Sequence, residues 1–124
     1  MSLELEARDV SELVGIVRFK FHEDKVDEFK RLSAECMEIV RAKDTGTLQY
    51  DTYFNEDQSE AIVIERFKDS EALIEHAANL SHLTPAILET GSVFGELLGE
   101  PSAELKAKIV GSEAPQLFTP YQMM

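Results

Sequence analysis

The chain has 124 residues, which leaves room for one domain with one real core. Hydrophobic residues make up 44% and charged residues 29%, ordinary for a globular protein, and no apolar run nears the ~20 residues that span a bilayer, so no transmembrane segment is expected. A formal net charge of -12 repels phosphate backbones and anionic lipid heads, so neither nucleic acid nor a membrane is expected as a partner, and the acidity serves solubility first.

Met1 to Val10 carries Glu4, Glu6 and Asp9 and no apolar stretch, so it does not read as a secretory leader. The single cysteine, Cys36, has no internal partner for a disulfide, which suits a reducing, cytoplasmic setting. It reads as a small buried apolar residue. Val14 to Phe21 is the first predicted strand, with Val17, Phe19 and Phe21 on one face and Ile16, Arg18 and Lys20 on the other. Asp24 is placed to cap a helix that runs from Lys25 to about Lys43 on the stripe Val26, Phe29, Leu32, Cys36 and Val40. Asp44-Thr45-Gly46 ends it, with Gly46 suited to a left-handed cap.

Thr47 to Asn55 is a second strand, with Tyr50 sharing a face with Leu48, Thr52 and Phe54. Asn55 to Gln58 is a polar turn, and Ala61 to Phe67 closes a hairpin as the third strand. Asp69 or Ser70 caps the next helix, which runs through Leu73, His76, Ala77 and Leu80; Ser81 to Thr84 breaks it. Pro85 suits the first turn of a short helix that stops at Gly91, and Ser92 to Leu98 is the fourth strand. The order β-α-β-β-α-β predicts an α+β, ferredoxin-like domain with an antiparallel sheet. We place it over 13–98, after an N-terminal extension over 1–12 and before a tail over 99–124. In the tail, Pro101 to Ile109 reads as a helix with Leu105 and Ile109 on one side, Gly111 to Pro115 as a loop, and Gln116 to Tyr121 as an edge strand.

The third strand is apolar on both sides: Ile62 and Ile64 lie on one face, Val63 and Phe67 on the other. Helices in this fold cover one face only, and a solvated second face should be polar. The simplest cover is the same sheet from a second copy, so the pattern predicts a homodimer, with Arg66 at its interface. The tail strand is expected against the partner's sheet.

The stretch from Gly46 to Leu83 resembles the antibiotic biosynthesis monooxygenase superfamily. The carrying residues are Leu48-Gln49-Tyr50-Asp51, the run Val63-Ile64-Glu65-Arg66-Phe67-Lys68-Asp69, then Ala72-Leu73, His76 and Ser81-His82. In that family a strand carries an acidic residue two positions before an aromatic, and a histidine follows on the next helix; here these are Glu65, Phe67 and His76. The aromatic is commonly Trp there and is Phe here. The resemblance spans roughly Val14 to Leu98 and implies a dimeric α/β barrel. It also implies a cofactor-independent monooxygenase acting on a small phenolic or quinol-type substrate. The haem-degrading branch does not fit: its haem-ligand histidine falls near Ala86, its first-strand asparagine near Val17 and its helix tryptophan on His76.

Oxygenation without a cofactor needs a substrate that becomes electron-rich on losing a proton, a base to remove that proton, and a water-poor pocket. The expected cofactor and metal are accordingly none: no P-loop, dinucleotide glycine pattern or Cys/His zinc spacing is present in the sequence. His76 is the candidate base, because it titrates near neutral pH and follows Leu73 by one helical step; otherwise it is a hydrogen-bonded structural histidine. Glu65 is the second catalytic candidate. It orients His76 or a substrate hydroxyl, or else pairs with a basic side chain. Tyr50 and Phe67 are candidate walls of the substrate pocket, with Tyr50 otherwise a core tyrosine, and Asn79 and His82 are weaker candidates for substrate contact. The competing reading is an isomerase or a ligand-binding barrel without catalysis.

Overall fold

The computed structural model describes residues 10–111 and 114–124. The expected N-terminal extension therefore lies almost wholly outside the described residues, as does part of the loop before Pro115. The chain forms β1 (Leu13–Phe21), α1 (Val26–Lys43), β2 (Thr47–Phe54), β3 (Glu60–Phe67), α2 (Ser70–Leu80), α3 (Thr84–Leu88), β4 (Gly91–Leu98), α4 (Ala103–Lys108) and β5 (Gln116–Phe118). The sheet order is β2-β3-β1-β4-β5. The first four strands pair antiparallel in the ferredoxin-like arrangement, and β5 joins β4 in parallel. The sheet is open, with β2 and β5 at its edges.

The alternation in the strands sets what each face does. Leu13, Phe19, Ala61, Val63, Phe67 and Leu97 are buried on the side that the helices cover. α1 brings Phe29, Leu32, Cys36 and Val40 down onto that side, and α2 adds Ala72, His76 and Leu80. Each apolar side chain fully buried this way contributes roughly 1.5–3 kcal/mol. On the opposite face, Phe94 and Tyr53 are exposed, and the ion pairs Arg18–Glu96 (3.6 Å) and Arg66–Glu12 (2.7 Å) lie among Val14, Ile16, Ile62 and Ile64. An open hollow of about 1000 Å³ lies between this face and the tail, bordered by Val14, Ile16, Leu98, Phe118 and Tyr121.

Several local expectations change. Asp24 does not cap α1: it sits at φ 64° in the preceding turn, and Lys25 occupies the cap position without a side-chain bond. Asp69 does cap α2, accepting from the Ala72 amide. Gly46 is not left-handed. It is needed because a Cβ there would stand 2.5 Å from Ala72 Cβ, so the loop after α1 lies directly on α2. A register shift between Thr47 and Gln49 takes Leu48 out of the face it was expected to share with Tyr50, and Leu48 is exposed. The tail helix packs Leu105 against Leu13 and Leu97. β5 is shorter than the expected Gln116 to Tyr121 and extends the chain's own sheet beside β4, not a partner's.

Candidate functional site

His76 sits on the inner face of α2 and is buried, with 6% of its surface exposed. Its Nδ1 lies 2.7 Å from Asp44 Oδ2. A carboxylate only accepts hydrogen bonds, so the proton of a neutral ring is held on Nδ1, and the Nε2 lone pair is left free. Nε2 lies 3.8 Å from Glu65 Oε2, on the β3 side of the ring. Tyr50 meets His76 edge-on at 5.3 Å between ring centroids, and Phe67 packs against it at 5.0 Å.

Asp44 is the functional neighbour that sequence reasoning missed. Its side chain is only 1% exposed. Three donors satisfy it: the His76 ring and the Thr47 hydroxyl (2.6 Å) on Oδ2, and the Asn79 amide (2.9 Å) on Oδ1. The loop that carries it is clamped to α2, because Glu75 Oε1 accepts from the Thr45 amide (2.8 Å) and hydroxyl (3.0 Å). One signal was available: a carboxylate after the last turn of a helix faces the negative end of its dipole, so it needs a compensating partner. The partner lies too far along the chain for spacing to reveal it.

A cavity of about 270 Å³ opens between the helices and the sheet. Phe19, Phe29, Tyr50, Val63 and Leu80 line it, and His76 and Glu65 both reach its surface. Phe67 is fully buried against His76 and is not part of the lining. Asn79 serves Asp44 and not the cavity, and His82 is exposed at the end of α2, away from it. Cys36 and Tyr50 both line the cavity.

The electrostatics follow from burial and these bonds. Burial pushes the His76 imidazole down, but Glu65 and then Asp44 push it up by more, so it lies above its ordinary 6.5. Burial would raise Asp44, yet the Thr47, Asn79 and His76 donors hold it below its ordinary value. Burial, and then the neighbouring Cys36 and Glu65, push Tyr50 far up, so it stays a phenol that can donate. Burial likewise raises the Cys36 thiol, which does not suit a nucleophile. The arrangement can therefore remove a proton from a small molecule held in an apolar pocket. Among the described residues, no group of three or more His, Cys, Asp or Glu side chains is arranged to hold a metal ion. No helix there is long and apolar enough to cross a membrane.

Solved structures share this fold. MupZ from Pseudomonas fluorescens is 24% identical, with 92% of this chain and 88% of that one covered at a TM-score of 0.74. Rv0793 from Mycobacterium tuberculosis is 25% identical, covering 74% and 97% at a TM-score of 0.65. SnoaB from Streptomyces nogalater, a cofactor-independent oxygenase solved as a point mutant, is 17% identical, covering 75% and 96% at a TM-score of 0.63. No curated protein sequence matches the chain. A family model for antibiotic biosynthesis monooxygenases matches residues 13–84, which span β1 to the start of α3 and so hold Asp44, Glu65 and His76; the chain belongs to that family.

Proposed function

We propose that this protein is a cofactor-independent monooxygenase of a small phenolic or quinol-type substrate, with His76 as its base. The observation that carries this reading is the His76 ring, pinned through Nδ1 by Asp44 while Nε2 is left free beside an apolar cavity. Family membership and the likeness to SnoaB, an oxygenase that needs no cofactor, support the oxygen chemistry.

In this scheme His76 Nε2 takes the substrate's acidic proton, and the carbanion or phenolate passes one electron to dioxygen. The two radicals combine into a peroxide, which takes back a proton and loses water to leave a carbonyl. One oxygen atom ends in the product and one in water, so the substrate itself is the reductant. Tyr50 donates to the substrate oxygen, Glu65 holds the protonated ring, and the apolar walls keep out water.

The working unit in this proposal is a cytoplasmic homodimer, its two open sheets meeting through the face that carries Ile62, Ile64 and the exposed Phe94. The core domain runs over 13–98, with the tail over 99–124 packing on the dimer. Oxygen-electrode measurements on the wild type with a panel of quinols and anthrones test the activity; uptake with at least one of them, in step with product, is expected.

A second reading is favoured by one observation. Glu65 lies 3.8 Å from His76 Nε2, so two groups able to carry a proton stand side by side, an arrangement that an isomerase moving a proton between two carbons can use. Deuterium incorporation from solvent under nitrogen, with no oxygen uptake in air, is the result that selects it.

A further inference from the structure

We propose that the cavity between helices and sheet admits uncharged hydroxyaromatic molecules and turns away anionic ones, and that Glu65 is the residue that enforces this. The inference rests on the reading of this cavity as the substrate site, and not on the reaction carried out there.

The lining holds aromatic and aliphatic walls and the hydroxyl residues Ser33, Thr52 and Thr84; among the described residues it contains no Lys or Arg. Its ionised groups are Glu65 and, when protonated, His76. Behind His76 stands the Asp44 carboxylate, 2.7 Å from Nδ1. Two carboxylates thus flank one imidazole. The cluster is net negative whether the ring is neutral or protonated. An anionic ligand entering there loses its water and meets no free cation.

Glu65 is also seated at some cost to the fold. It projects from the helix-facing side of β3, an otherwise apolar surface, where an unpaired carboxylate is expensive. The strand opposite leaves it space: its partner in the β1–β3 ladder is Gly15, where a Cβ would stand 3.3 Å from Glu65 Oε1. Leu13, Val17 and Phe19 on the same face of β1 are all large, so Gly15 is a notch at the carboxylate. A cavity of about 270 Å³ is suited to a fused two-ring molecule.

Calorimetric titration of the full chain with 2-naphthol and 2-naphthoate near neutral pH tests this. The two share a ring system, and only the second is an anion. At a separation of ~5 Å and an effective dielectric of ~20, one uncompensated charge weakens naphthoate by roughly 250-fold relative to naphthol. Glu65→Gln is expected to narrow that gap to about tenfold or less by strengthening naphthoate. Naphthoate binding to the wild type within tenfold of naphthol, or no binding of naphthol at all, overturns the proposal. So does a folded Glu65→Gln variant that keeps the full gap. The wild-type comparison decides even if the variant does not fold. Absence of oxygen uptake with every quinol ends the monooxygenase reading and leaves this one standing.

Discussion

Asp44→Asn changes one carboxylate oxygen into an NH₂ group and leaves the volume of the side chain alone. The wild-type carboxylate accepts from three donors: His76 and Thr47 on Oδ2, Asn79 on Oδ1. An asparagine there has one acceptor oxygen. If its NH₂ turns toward Asn79, two donors face each other in a buried site. If it turns toward His76, the ring must present a lone pair at Nδ1, which moves its proton to Nε2 and fills the position from which a base works. The Thr47 hydroxyl can rotate to accept, so the second arrangement leaves fewer groups unsatisfied and is the expected one. Hydrogen bonds to a charged group are worth about 1.5–3 kcal/mol, against about 1 for neutral ones. Replacing the charged acceptor therefore costs ~2 kcal/mol, a fall in Tm of roughly 6–10 °C for a domain of this size. The wrong tautomer removes the base, so kcat/KM should fall by ~10²–10⁴-fold. Turnover on a reactive quinol, normalised to folded protein from the unfolding curve, is the assay. A folded Asp44→Asn variant with wild-type kcat/KM would refute the idea that Asp44 acts through the His76 tautomer.

The pH dependence has a definite sign. His76 lies above 6.5 in the folded protein, so kcat/KM should rise with pH through an inflection above that value, and Glu65→Gln should move the inflection down. The same shift means that His76 contributes stability fully below 6.5, and that this contribution disappears as pH rises through the folded value, as unfolding of wild type and His76→Ala across pH will show. Asp44 behaves oppositely: its contribution is present above 3.8 and is lost as pH falls through its lowered folded value. Gly46→Ala places a methyl 2.5 Å from Ala72 Cβ, so it should cost about 1–3 kcal/mol and lower turnover by displacing Asp44; unfolding and kinetics on the same variant check both. Phe94→Glu puts a charge on the exposed outer face, and light scattering should find monomers with unchanged circular dichroism; an intact dimer would count against the sheet-to-sheet interface.

Much of the fold was legible because strand and helix periodicities are local. Alternation placed Val63, Glu65 and Phe67 on one face of β3, and a helical step from Leu73 placed His76 toward the sheet, where it is buried. The phase of β2 was harder. Its register shift is set by pairing with β3, so the expected company of Tyr50 lost Leu48 while Tyr50 itself stayed on the inner face. Asp44 reads as helix-ending chemistry until the fold brings α2 alongside. Thr45 and Gly46 look like loop residues until Glu75 and Ala72 explain them. Asn79 has the right face but spends its amide on Asp44, and His82 lies exposed beyond the last turn of α2.

The central claim is that His76 is a base in this cavity and not a structural histidine. Quinol-dependent oxygen uptake by His76→Ala, measured per folded molecule alongside thermal unfolding, tests it most directly. The account predicts a ~10²–10⁴-fold loss of turnover in a variant that still folds. A lowered Tm with wild-type turnover per folded molecule would contradict it.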